Sequence, residues 1–142
     1  MEPDEALDRL RSARVGRMAT VRPDGRPHVV PFVFALVQDG AAVRAYWLVD
    51  DKPKRTRSIQ RLRNLEANVA VEIVVDEFDE DWGRLWWVRA SGTGRVVTEP
   101  RERARAIEAL GSKYPAYRRE ELDGPVVAID IETIAGWEAS GG

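Results

Sequence analysis

The 142-residue chain contains no cysteine and only one histidine. The first absence excludes a disulfide framework, a thiolate nucleophile and the common structural zinc sites. The second leaves too few imidazoles for a usual zinc site, and no serine beside His28 forms a recognisable triad. No metal site is expected, and redox work would fall to a cofactor. Long apolar runs are missing as well: no segment approaches the roughly 18 apolar residues of a membrane span, and the opening MEPDEALDRL is acidic. A soluble, cytoplasmic protein without a membrane partner is the expectation. Charge of one sign is also scarce, with 22 Lys and Arg against 24 Asp and Glu. The molecule as a whole is therefore not drawn to nucleic acid, and any anion site must be local. A nucleotide-binding GxGxxG is absent, so Gly92 and Gly94 in SGTG read as a bulge.

What is present suits one packed domain spanning residues 1–142, since 44% of the residues are hydrophobic. Ala6, Leu7, Leu10 and Ala13 recur at spacings of three and four, the pattern of a one-sided helix. VGRMATV and PHVVPFVFALV then read as two strands joined by RPDGR, whose Asp24-Gly25 pair suits a tight hairpin. Pro31 cannot donate a ladder hydrogen bond, which places it at a bulge or an edge. AAVRAYWLV reads as a third strand, and residues 51–66 as a helix with Ile59, Leu62 and Leu65 facing the core. VAVEIVV forms a fourth strand, and WGRLWWVRASGTGRVVT one long strand. Thr98 is expected to cap a helix that stops at Gly111, and PVVAIDIETI is the last strand. These elements make a mainly β, α+β chain of antiparallel strands, closed into a small barrel that hides its edges.

Six basic residues, Lys52, Lys54, Arg55, Arg57, Arg61 and Arg63, occur within twelve positions without an intervening acid. Lys54, Arg57 and Arg61 share one helical row beside the apolar stripe. Cations at the edge of an apolar groove suit a ligand with an aromatic body and an anionic tail. The alternative is a solvated basic face that balances the acidic loop 76–81. His28 reads either as a cofactor contact or as a polar strand residue. Of the five tryptophans, Trp86 and Trp87 must point to opposite faces of a strand, so aromatic surface is left to meet a partner subunit.

In combination these segments resemble the pyridoxamine-5′-phosphate-oxidase-like split β-barrels, and among them the flavin and deazaflavin oxidoreductases that use coenzyme F420. The resemblance rests on VGRMATVRPDGRPHVVPFVFAL, KPKRTRSIQRLRNLEANVAV, DEDWGRLWWVRASGTGRVV and IAGWEAS, which cover nearly the whole chain. It implies a homodimer with a cofactor at the subunit interface. Lys52, Lys54, Arg55, Arg57 and Arg61, with Asn64, would hold the phosphate. His28, Val30, Pro31 and Phe32 would line the ring, and Trp82 would reach it from the other subunit. Six cations fit the longer, more anionic F420 better than FMN, the alternative cofactor. The implied activity is hydride transfer to an electron-poor small molecule, with no catalytic side chain singled out. A non-catalytic F420 or flavin binder is the competing reading. Nucleic-acid binding through the basic helix is a third, opposed by the overall charge.

Overall fold

In a computed structural model, the structure describes residues 1–49, 55–118 and 122–140, with the side chains of residues 55–59 outside that description. The elements run α1 (Pro3–Ser12), β1 (Gly16–Val21), β2 (Pro27–Phe32), β3 (Ala35–Asp39), β4 (Ala42–Leu48), α2 (Arg55–Ala67), β5 (Ala70–Glu77), β6 (Trp86–Val96), α3 (Pro100–Lys113) and β7 (Val126–Glu138). Short 3-10 turns at Trp82–Arg84 and Pro115–Arg118 complete them.

Seven antiparallel strands form one sheet in the order β2-β1-β5-β6-β7-β4-β3. Its two edge strands, β2 and β3, are consecutive in sequence and joined only by Val33 and Phe34. The sheet must therefore curl until its edges meet, giving the expected antiparallel barrel, split along one seam. The expected single strand over residues 27–37 is thus two strands, because the chain leaves one edge of the sheet and enters the other at Val33-Phe34. Pro31 lies on edge strand β2 opposite Arg17, and needs no N–H on the seam side.

Alternation sorts the core into two layers. Ala45, Trp47 and Val49 turn into the barrel, where they join Met18, Phe32, Phe34, Ile73, Val75, Val88, Val127 and Ile129, with Ala6 and Leu10 of α1 packed beside them. Tyr46 and Leu48 turn outward and are covered by Ala106 and Leu110 of α3. The β1–β2 hairpin turns at Gly25, with φ +89°, while the Asp24 carboxylate accepts from Arg26 N at 3.0 Å. Along β6 the register shifts between Ser91 and Gly92, the bulge expected of SGTG.

Four boundaries differ from the sequence reading. The long strand starts at Trp86, because the Asp81 carboxylate accepts from Gly83 N and tightens Trp82–Arg84 into a 3-10 turn. Glu99, not Thr98, caps α3 by accepting from the backbone N–H groups of Arg101 and Glu102. That helix also passes Gly111 to end at Lys113, and β7 runs on to Glu138.

On the outer side of β4, β6 and β7, Arg95 forks onto Glu102 at 2.7 and 2.8 Å and bonds Asp130 at 2.7 Å. Tyr46 Oη donates to Glu102 at 2.7 Å. The Arg95 hydrogen bonds, reinforced by Tyr46 against the opposing effect of burial, hold the Glu102 carboxyl at about 2. A carboxylate depressed in the folded state stabilises above its unfolded pKa of 4.5 and loses that contribution as pH falls toward 2. Because Arg95 is partly exposed, the loss is expected to be about 1–2 kcal/mol. Urea unfolding at pH 5 and pH 2.5 measures it, and the difference should shrink in Glu102→Gln.

Candidate functional site

A cavity of about 300 Å³ opens at the seam. Its walls come from Val15 before β1, Pro31 and Phe32 of β2, the connector Val33, Trp47 and Leu48 of β4, Arg61 of α2 and Tyr117. Phe32 is fixed by stacking on Phe34, with ring centroids 4.8 Å apart. The connector is held from the α3 side: Lys113 Nζ donates to the Phe34 carbonyl at 2.8 Å, and Phe34 N donates to the Tyr114 hydroxyl at 3.3 Å. Burial, helped by Arg14, brings the Lys113 ammonium down to about 8. The position of the cavity thus follows from the topology, since β2, the connector that leaves it and the end of β4 bound the space.

Among the described residues of this lining, Arg61 is the one cation. Its guanidinium lies over the Trp47 ring at 4.8 Å from the centroid. Burial holds its pKa below the ordinary arginine value. Arg61 Nε and Trp47 Nε1 are both buried without a hydrogen-bond acceptor among the described residues.

One turn along α2, Asn64 is fully buried. Its amide nitrogen donates to Thr20 Oγ1 at 2.9 Å and meets His28 Nδ1 at 3.3 Å, while its oxygen accepts from Gln60 Nε2 at 2.8 Å. Burial first, then the positive charges of Arg22 and Arg61, hold the His28 pKa below its ordinary value. The imidazole is therefore neutral at pH 7, and its Nδ1 accepts the second Asn64 hydrogen. Helix α2 is in this way pinned to β1 and β2 by Asn64 while it presents Arg61 to β4, so that it reaches both lips of the seam.

Of the residues named from sequence, the structure brings Pro31, Phe32 and Arg61 to the cavity. Val30 packs against the barrel core, and His28 and Asn64 bond to each other without lining the cavity. Trp82 is 70% exposed in the β5–β6 connection and does not line this chain's cavity. Lys52 and Lys54 lie outside the described residues, as do the side chains of Arg55 and Arg57. Trp47, Leu48, Val15, Val33 and Tyr117 were not singled out in the sequence. Alternation along AAVRAYWLV could have found Trp47, since it shares a face with Ala45 and Val49. Among the described residues no group of histidine, aspartate and glutamate could hold a metal ion, and no helix is long and apolar enough to cross a membrane.

Known proteins of the same architecture bear on this site. The family model described as pyridoxamine 5′-phosphate oxidase matches residues 3–138. A conserved protein of unknown function from Corynebacterium diphtheriae is 26% identical, with a TM-score of 0.71 over 96% of this chain and 93% of that one. An FAD-binding protein from Mesorhizobium loti is 25% identical, with a TM-score of 0.68 over 99% of this chain and 96% of that one. A haem storage protein from Vibrio cholerae, 18% identical with a TM-score of 0.67 over 99% of this chain and 98% of that one, shares the fold. Among curated proteins none matches. With the matched residues running from α1 to the end of β7 and the strand order making a split barrel, the chain belongs to the pyridoxamine 5′-phosphate oxidase family.

Proposed function

We propose that this chain is an oxidoreductase that binds a flavin-type ring in the seam cavity, between two copies of the barrel. The observation that carries the reading is the composition of the described lining: the apolar side chains of Pro31, Phe32, Val33, Trp47 and Leu48, with Arg61 the cation among them. Such walls suit a planar aromatic body, and a guanidinium suits its acceptor or anionic groups. A volume of about 300 Å³ lies at the lower end for ligand pockets, so one chain encloses only part of a tricyclic cofactor. A second copy completing the enclosure fits that shortfall. The cross-strand pair Trp87 and Trp137, the latter 44% exposed, adds aromatic surface for such contact.

FMN or FAD is the favoured ring, supported by the FAD-binding protein of the same fold at 25% identity. Coenzyme F420 is the second reading, favoured by the six cations between Lys52 and Arg63. When bound, the ring supplies hydride chemistry. The chain's residues position it: Pro31 and Phe32 flank it, Trp47 and Arg61 meet its edge, and the closed seam limits water. The described lining holds no carboxylate or imidazole, so Tyr117 and solvent are the proton carriers at hand.

Equilibrium dialysis against FMN, FAD and F420 tests the reading, followed by consumption of the reduced cofactor with enones and quinones. A flavin is expected to be retained at micromolar concentration. Tight F420 retention without flavin binding would select the second reading, and retention without turnover would make the protein a carrier. If none of the three is retained, the proposal fails.

A further inference from the structure

Trp47 is 1% exposed, yet its indole N–H has no acceptor among the described residues, and the neighbouring Arg61 Nε–H is in the same state. A buried donor left unpaired costs about 1–3 kcal/mol, so two beside one cavity call for an occupant that pairs them. Both donors belong to side chains that line the seam cavity, and the guanidinium is stacked on the indole. The other described lining side chains, Val15, Pro31, Phe32, Val33, Leu48 and Tyr117, are mostly apolar, which suits a ring better than a strongly hydrated phosphate.

We infer that Trp47 and Arg61 form a donor pair that reads the acceptor edge of the bound ring, its carbonyl oxygens and ring nitrogens, while the anionic tail is held elsewhere. The inference rests on the flavin reading and deepens it by assigning Arg61 to the ring instead of to the phosphate. Because both donor atoms are covered in this structure, the ligand reaches them by displacing the guanidinium from the indole face. Arginine is suited to this movement, since its long side chain exchanges a stacked position for an in-plane hydrogen bond without moving the helix.

Riboflavin and FMN share the ring and differ in the phosphate, so titrating both separates the two roles. Wild type, Trp47→Phe and Arg61→Gln are titrated with each flavin by quenching of its fluorescence, with thermal melts as a folding control. Both substitutions should weaken riboflavin and FMN equally, by about tenfold, as befits one lost buried hydrogen bond. The ratio of FMN to riboflavin affinity should stay at the wild-type value. Loss confined to FMN in Arg61→Gln would show a phosphate ligand and overturn the assignment, and unchanged riboflavin affinity in Trp47→Phe would also overturn it. Wild type binding neither flavin would overturn the flavin reading and this inference together. Should Trp47→Phe not fold, the Arg61→Gln ratio decides, since that side chain is only partly buried.

Discussion

Replacing Asn64 with leucine is expected to lower the unfolding free energy by about 2–4 kcal/mol, the range for stranding buried polar partners. The side chain is fully buried and bonds Thr20, His28 and Gln60 at once. Leucine fills the volume but leaves the buried Thr20 hydroxyl and the Gln60 amide without Asn64. Removing both ends of one bond is milder than removing one, so Thr20→Val added to Asn64→Leu should recover about 1 kcal/mol in a double-mutant cycle. Urea unfolding of the four proteins measures this. Additive losses would mean that the 2.9 Å contact between Asn64 and Thr20 contributes nothing. Because Asn64 sits three residues from Arg61 on the same helix, the leucine variant should also weaken flavin retention by misplacing the cation at the seam.

The second large effect is expected at the bulge. A Cβ added at Gly92 would collide with the Asp130 carbonyl oxygen on the neighbouring strand, and backbone there cannot move without breaking the β6–β7 ladder. Gly92→Ala should cost about 3 kcal/mol, and for a domain of this size lower the melting temperature by roughly 10 °C. Gly94 provides the control. A Cβ there would meet Leu65 Cδ2 at 2.8 Å, Leu65 Cδ1 at 3.1 Å and Val71 Cγ2 at 3.2 Å, side-chain methyls where Gly92 faces backbone. Gly94→Ala should therefore cost less than Gly92→Ala, about 1–2 kcal/mol. Equal melting temperatures for the two variants would show that the β6–β7 approach is less tight than the structure has it.

Much of the fold could be read from spacing. Ala6 and Leu10 marked the buried side of α1, Asp24-Gly25 marked the first hairpin, and Leu62 and Leu65 marked the inner side of α2. The split between β2 and β3 was hidden, because PHVVPFVFALV carries no turn residue at the break. The curvature of the whole sheet imposes it, and a local pattern holds no record of that. The cap of α3 was within reach, since Pro100 at the first helical turn points to the residue before it, Glu99.

For the site, the family resemblance grouped His28 and Val30 with Pro31 and Phe32, all on the one strand β2. The structure separates them: Pro31 and Phe32 line the cavity, whereas His28 bonds to Asn64 and Val30 packs against the barrel core. Trp47 escaped notice because its partner Arg61 is fourteen positions away, and only the folded chain stacks one on the other.

A crystal structure of the protein soaked with FMN tests the central claim most directly. The account predicts density for the tricyclic ring in the seam, against Phe32 and Trp47, with Arg61 turned toward it and a second copy of the chain closing the open side. Density for the ring on any other surface, with the seam cavity holding only solvent, would contradict it.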